Sequence, residues 1–389
     1  MAHLAIRSPW TRAAAFAAAV LVATADADAT QHLVRAGDDW SKLEAKLQPG
    51  DEIILMPGTH RGAVLKGVAG TAEKPITIRP ADRRVPARID ATDVGIHLVS
   101  PAYVEIEAIA VVGATHTGVL IEGTKDAPAR HVTLNAVYVA NTGDKGAADG
   151  IRVANAEYVT LDKCRVESWH RAAVHLHAAR DVAVRQGDFV GGAKSADRYG
   201  VAIDGESRNV TVERSKFGQG LVMAVAIGLP ESDSLPPLPA PPPEKPPALA
   251  EGVLVERCIS DRPARFVALG SCRDTVIRAN TVLSPTAVWE VAATAQGWCA
   301  PDATIVSNLI SWEPGTLQRF ALAAPKSVPT GIAIEVNLWW SLELAAAKAS
   351  FGEFVGTLKA PQVTDVDPAF DNFFEPRTAA AKAFGRNAP

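Results

Sequence analysis

The chain has no charge of one sign to work with. Its 39 Lys and Arg against 43 Asp and Glu leave a formal net charge of −4, which argues against a nucleic-acid surface or a polybasic membrane contact. It also lacks an apolar run long enough to cross a bilayer. The Ala-rich stretch Ala13–Ala25 falls well short of the roughly 20 residues a spanning helix needs. Aromatic residues make up only 6% of the chain, so any sugar stacking falls to a few side chains. Trp169 and Trp289 adjoin candidate exposed strands, whereas Trp339 and Trp340 suit a capping or core role. Cysteines number four. Cys164 and Cys258 occupy a small inward position and read as buried thiols. Cys272 and Cys299 fall between the strands of consecutive coils, where a bridge and two free thiols are both open.

What is present starts with a leader-like segment. Arg7 and Arg12 precede the Ala-rich run, and Ala23-Thr24-Ala25 or Ala27-Asp28-Ala29 follows as a small-residue cleavage pattern. Residues 1–29 therefore read as a secretory signal, which implies a secreted, periplasmic or cell-surface protein with no membrane span after signal removal.

A short phrase then recurs: apolar-x-apolar, polar residues, then a small residue or Asn. Its copies are Val159–Cys164, Val182–Gly187, Val210–Ser215, Val253–Cys258 and Thr275–Asn280. A second short strand precedes most of them, as in Gly150–Val153, Ala173–Leu176, Gly200–Ile203 and Phe266–Leu269. The small-or-Asn position steps by 23, 28, 43 and 22 residues. Period-2 strands repeating at about 20–30 residues imply stacked coils that share one core, a parallel β-helix. The 43-residue step is explained by a Pro-rich insertion, 230–247, read as an exposed polyproline-type loop or a lid over a neighbouring groove. Asp38–Leu47 reads as an amphipathic helix with Asp38 or Asp39 as N-cap, closing the open end of the stack. The β-helix is expected over 30–312, with about ten coils from Ile53 to Trp312. The repeat fades into C-terminal coils and a capping tail, 313–389, with a short helix at Ser341–Ser350.

The stretches PGDEIILMPGTHRG, from Pro49, and GTAEKPITIRPAD, from Gly70, resemble the first coils of exported right-handed β-helix proteins of the pectate-lyase-like superfamily. That superfamily includes polysaccharide lyases of the chondroitinase B and alginate lyase type. The resemblance implies an all-β, right-handed parallel β-helix and a polysaccharide, acidic in the lyase case, as partner. The Glu-x-Lys-Ser and Leu-Arg-His-Gly motifs of the chondroitinase B type are not found. Nor is the Gly-His-Gly of polygalacturonase-like hydrolases.

Alternation along the strands selects the candidate site. With Ile151, Val153, Val174, Leu176, Val201 and Ile203 facing inward, two outward ladders result: Arg152–His175–Ala202 and Ala154–His177–Asp204. The entering turns add Asp149, Trp169, His170, Arg171, Lys194, Asp197, Arg198 and Tyr199. This is the densest titratable patch in the sequence. β-Elimination on a uronate needs a cation for the carboxylate, a base for the C5 proton and an acid for the leaving oxygen. Arg152, Arg171 or Arg198 can neutralise, His175 or His177 can be the base, and Tyr199 the acid. Asp204 completes the catalytic set, while Asp149, Trp169, His170, Arg171, Lys194 and Arg198 are candidate substrate-binding residues. The sequence requires no cofactor. His175-x-His177 with Asp204 forms a workable zinc or iron set, whereas calcium needs more oxygens than Asp204 and Glu206 supply. The competing function is a non-catalytic glycan-binding or cell-surface structural rod.

Overall fold

The computed structural model describes residues 29–143, 148–192, 199–229, 247–291, 301–317, 319–322, 331–341, 362–364, 366–371, 374–386 and 388. The leader-like segment up to residue 28, Lys194, Asp197, Arg198, Cys299, nearly all of the Pro-rich insertion and residues 342–350 lie outside the described residues.

Strand alternation builds the molecule. On one face the inward rows are Ile96, Val119, Ile151, Val174, Val201, Val225 and Val267, and beside them Leu98, Ile121, Val153, Leu176, Ile203, Ile227 and Leu269, all at most 1% exposed. Full burial of each such side chain contributes about 1.5–3 kcal/mol, so a one-residue slip would turn a whole row outward and cannot compete. The pairing is parallel throughout, each strand matched to the equivalent strand of the next coil. One sheet has 20 strands and wraps round a corner, because Asp149–Asp162 and Ala172–Arg185 each run through two faces. A second sheet of 11 strands closes the third side. The core fills the space between them as a continuous column from Val34 to Trp339. This is a parallel β-helix, as expected.

Corners are made by single left-handed residues. Ala108, Ala136, Lys163, Gln186, Arg214, Arg257, Ala279 and Ser307 all have φ of 50–57°. Such a conformation costs a non-glycine residue about 1–3 kcal/mol. It is held because these N–H groups donate across the stack, as Lys163 does to the Arg185 carbonyl and Gln186 to that of Glu213. The next residue points inward, which explains its small-or-Asn character: the Gly187 N–H donates to Ser215 Oγ, and the Cys258 N–H to Asn280 Oδ1. The row runs further than the sequence reading took it. The backbone N–H groups of Asn280, Asn308 and Asn337 donate in turn to the side chains of Asn308, Asn337 and Gln362.

One expectation changes, that of the N-terminal helix. Strand pairing continues past Trp312, through Arg319–Leu322 and Ile332–Ile334 to Leu338–Trp340. The sequence repeat is obscured there by the long connections between these strands. The N-terminal helix is a four-residue 3-10 turn, Trp40–Leu43, and Asp39 makes no side-chain cap. Trp40 and Leu47 still reach the core, and Leu43 packs against it. The turn closes the first edge differently: Ser41 Oγ accepts from the Val64 N–H, and Glu44 Oε2 from that of Lys66. Cys164, Cys258 and Cys272 are free, buried thiols, and burial pushes the first two up to about 12, where they are inert.

Candidate functional site

The expected ladders are present in register. Arg152 pairs with His175 and His175 with Ala202; Ala154 pairs with His177 and His177 with Asp204. Glycine sets the position of these strands. A Cβ on Gly118 or Gly150 would collide with Val139 or Val166 of the facing sheet, so only glycine lets the two sheets close at that edge.

The outward ladder is not a solvent-exposed one, and here the expectation is corrected. His175 is 1% exposed, although Val174 and Leu176 on either side face the core as expected. It lies on the outer face but is enclosed by its neighbours. Nε2 donates to Asp204 Oδ2 at 3.0 Å from the following strand, while Asp149 Oδ2 lies 3.3 Å from Nδ1 on the preceding side. Arg152 and Arg171 bring guanidinium nitrogens to 2.7 and 2.8 Å from Nδ1. Asp149 is wholly buried and receives Arg171 side-on, through Nε at 2.9 Å and through a shorter contact from the terminal nitrogen. Asp204 is also buried, and its other oxygen takes His177 Nδ1 at 2.7 Å. A single carboxylate bonded to two imidazoles of the preceding strand therefore ties the two outward rows together.

His177 sits at the rim, its side chain 33% exposed, edge-on to His175 with ring centroids 6.0 Å apart. Gly205 makes room for it. That glycine has φ +64°, and a Cβ there would stand 2.6 Å from the His177 ring. A small crevice beside this contact is lined by Arg171, His175, Tyr199, Ala202, Asp204 and Leu229. Both ends of segment 230–246 emerge nearby: Leu229 lines the crevice, and Pro247 is held through its carbonyl by Ser271 Oγ.

Electrostatics follow from this enclosure. Burial alone would raise the Asp149 carboxyl, but His175 and Arg171 outweigh it and hold the pKa below the ordinary value. Burial likewise opposes the charged form of Asp204, and its contacts with His175 and His177 again win, lowering it. For His175 burial works downward, and the two carboxylates carry the pKa above the usual imidazole value. The cluster thus holds two carboxylates against two guanidiniums and an imidazole disposed to carry charge.

Arg152, Arg171, His175, His177, Tyr199, Asp149 and Asp204 come together. His170 is half-buried in the entering turn, and among the described residues no hydrogen bond or ion pair ties it to the cluster. Trp169 is 2% exposed and belongs to the core column, so it offers no sugar-stacking face. Trp289 is buried too, packed edge-on against Trp339 at 5.4 Å. Both tryptophans flank outer-face residues in sequence, but their own positions turn inward. Sequence reasoning missed the His97–Glu122 pair on the same face, 2.7 Å apart; alternation placed both outward and could have found it. It also missed the stacked rings of Tyr103, His131 and Tyr158 at one corner, 4.3 and 4.8 Å apart.

His175, His177 and Asp204 present ligand atoms within 4.8 Å of one another, the donor chemistry of a zinc site. Arg152 and Arg171 beside the same imidazole repel a dication. Calcium fits less well, since the donors are mainly nitrogen and Glu206 is exposed on the corner.

The class is therefore a parallel β-helix with a buried cationic–carboxylate cluster on its outer face. No protein-family model and no curated protein matches the sequence. Among solved structures the chain is similar to a lacto-N-biosidase of glycoside hydrolase family 136 from Eubacterium ramulus. The identity is 12%, 80% of this chain and 68% of that chain are covered, and the TM-score is 0.51. It is also similar to an alginate lyase from Paenibacillus sp., at 15% identity, 80% and 94% coverage and a TM-score of 0.49. A third is the pectate lyase Pel9A, at 12% identity, 90% and 82% coverage and a TM-score of 0.39. At 12% identity the likeness to the first of these bears on the fold alone.

Proposed function

We propose that this protein is exported, acts on a polysaccharide, and uses the cluster around His175 to cleave a uronate glycan by β-elimination. The observation that carries this reading is the His177–Asp204 contact of 2.7 Å, which joins a partly exposed imidazole to a carboxylate that lines the crevice. Asp204 accepts from Nδ1 and so fixes the tautomer in which Nε2 is the proton acceptor. Arg171 and His175, which line the crevice, with Arg152 behind them, supply positive charge where the substrate carboxylate gathers charge as C5 is deprotonated. Tyr199 lines the same crevice and is the proton donor to the leaving oxygen. Hydrolysis by paired carboxylates fits less well: it needs two that reach the sugar, and Asp149 is 0% exposed beneath Arg171.

The test is incubation with a panel of uronate polysaccharides while ultraviolet absorbance of unsaturated products is followed. His177→Ala is expected to lower the rate by about 10²–10⁴ with little change in unfolding midpoint, because the side chain is partly exposed. No product from any uronate glycan, or an unimpaired variant, would defeat the lyase reading. One observation favours the other class, a non-catalytic glycan-binding or structural β-helix. Every side-chain nitrogen and oxygen of Asp149, His175 and Asp204 already has a partner, which is also how a purely structural network is built. Glycan binding without turnover would select it.

A further inference from the structure

One corner of the stack carries a column of side chains that the cluster does not use. The registers on either side align Tyr103, His131, Tyr158, Asp181, Asn209 and Gly252 in successive coils. All six are left-handed, with φ between 51° and 65°. Asp, Asn and Gly tolerate that conformation, whereas bulky side chains in it are outliers. Three consecutive coils nevertheless place rings there. Tyr103 lies on His131 at 4.3 Å and His131 on Tyr158 at 4.8 Å, the planes within 7° of parallel. The column then drops. Tyr158 has one face against His131, and its other face looks along the stack to Asp181, whose short side chain reaches only the inner part of the ring. Tyr158 is 52% exposed, so the outer part of that face is open. Below it, Asn209 Nδ2 donates to Asp181 Oδ1 at 3.1 Å. Asp181 and Arg180 are both exposed. The second oxygen of the one and the guanidinium of the other have no partner among the described residues.

We propose that this step is a second glycan site, in which a neutral pyranose lays its C–H face on Tyr158 and donates hydroxyls to Asp181. A sugar on the open face sits at the level of Asp181, one strand spacing of about 4.8 Å along the stack. Its inner-edge hydroxyls then meet the free carboxylate oxygen, which Asn209 holds in place. An aromatic plane with a polar group at its foot matches a sugar, apolar on its face and polar at its edge. Tyr103 and His131 fix that plane before the sugar arrives, which spares the cost of ordering it. Arg180 and Asp181 carry one charge of each sign, so the corner selects by ring shape and hydroxyls, unlike the cationic crevice. Asp181 lies four residues beyond His177 on one strand, at most about 13 Å away, so a sugar held there keeps a glycan near the crevice. The proposal rests on the reading of this protein as one that binds glycans, and not on the elimination chemistry.

The probe is cellopentaose, a neutral β-linked chain whose rings carry C–H bonds on both faces. The protein has four tyrosines, so ring-labelled material gives few magnetic-resonance signals, and that of Tyr158 is the one missing from Tyr158→Phe. Titration of wild type should shift the Tyr158 signal and leave that of Tyr199 in place, with little dependence on salt. Tyr158→Phe keeps the face and should bind within about twofold of wild type. Tyr158→Asn puts here the residue type that Asn209 supplies two coils later, so the corner is kept, and binding should weaken by about tenfold. Asp181→Gly, a residue type the column also uses, should weaken it likewise. No shift at Tyr158, a shift at Tyr199 instead, or unchanged affinity in Tyr158→Asn or Asp181→Gly would overturn the proposal. A mannuronate oligomer run in parallel tests the other reading. Unsaturated product without a Tyr158 shift from cellopentaose leaves the lyase standing and removes this site; the reverse result keeps this site and removes the lyase.

Discussion

Asp149→Ala is the perturbation that most directly tests how the cluster is held. The carboxylate is 0% exposed and receives Arg171 through two nitrogens, Arg152 at 3.4 Å and His175 at 3.3 Å. Its removal takes away the carboxylate that holds two nitrogens of the Arg171 guanidinium, whose side chain is only 11% exposed. Leaving one charge of a buried pair uncompensated costs about 3–5 kcal/mol. Coils of a solenoid open semi-independently, so a global midpoint would blur the effect. Amide hydrogen exchange in strand Ala172–Arg185 reads it locally. The loss corresponds to exchange faster by about two to three and a half orders of magnitude. The double variant Asp149→Ala/Arg171→Ala should recover about 2 kcal/mol of coupling, because both members of the pair are then gone. Acceleration of less than about tenfold, or strictly additive single effects, would refute the view that Asp149 neutralises a buried guanidinium.

Two further outcomes are expected. The His175 pKa lies above the usual imidazole value of about 6.5, so its contribution is full below that value and is lost as pH rises through the folded-state value. Those of Asp149 and Asp204 lie below 3.8, so theirs are full above that value and are lost as pH falls through the folded-state values. The stability gap between wild type and His175→Gln, from amide exchange in strand Ala172–Arg185 relative to intrinsic rates, should therefore narrow as pH rises through the folded-state value; a constant or widening gap would contradict the assignment. Asn308→Ala removes the acceptor of the Asn280 N–H and the donor to the Ile277 carbonyl, both buried. It should cost about 3 kcal/mol, and a loss below about 1 kcal/mol would show that water replaces the amide.

The architecture was legible because alternation and spacing are local properties of the sequence, and in a parallel stack local register becomes global register. Val174, Leu176, Val201 and Ile203 face inward for that reason alone. The same rule placed His175 and His177 on the outer face but could not give their exposure. Exposure depends on what the adjoining coils contribute, here Asp149, Arg152 and Asp204, residues up to 29 positions away. Trp169 was misjudged because its neighbours Arg171 and His170 are polar, and because the left-handed Ser168, φ 52°, breaks the alternation after Val166 and turns the next residue inward. The Asn308–Asn337–Gln362 continuation was hidden by uneven connections between coils, although Asn280 carried the signal for its first member.

The 3-10 turn at Trp40–Leu43 bears on a different property, the finite length of the molecule. Each coil of this stack presents the next with the backbone groups it needs, so nothing in the repeat itself says where to stop. Ser41 and Glu44 supply that stop with side chains, taking up the Val64 and Lys66 N–H groups that another coil would otherwise claim. One hydroxyl and one carboxylate oxygen thus close the edge of strand Ala63–Lys66, and a chain without them would leave that edge able to dock onto its own kind.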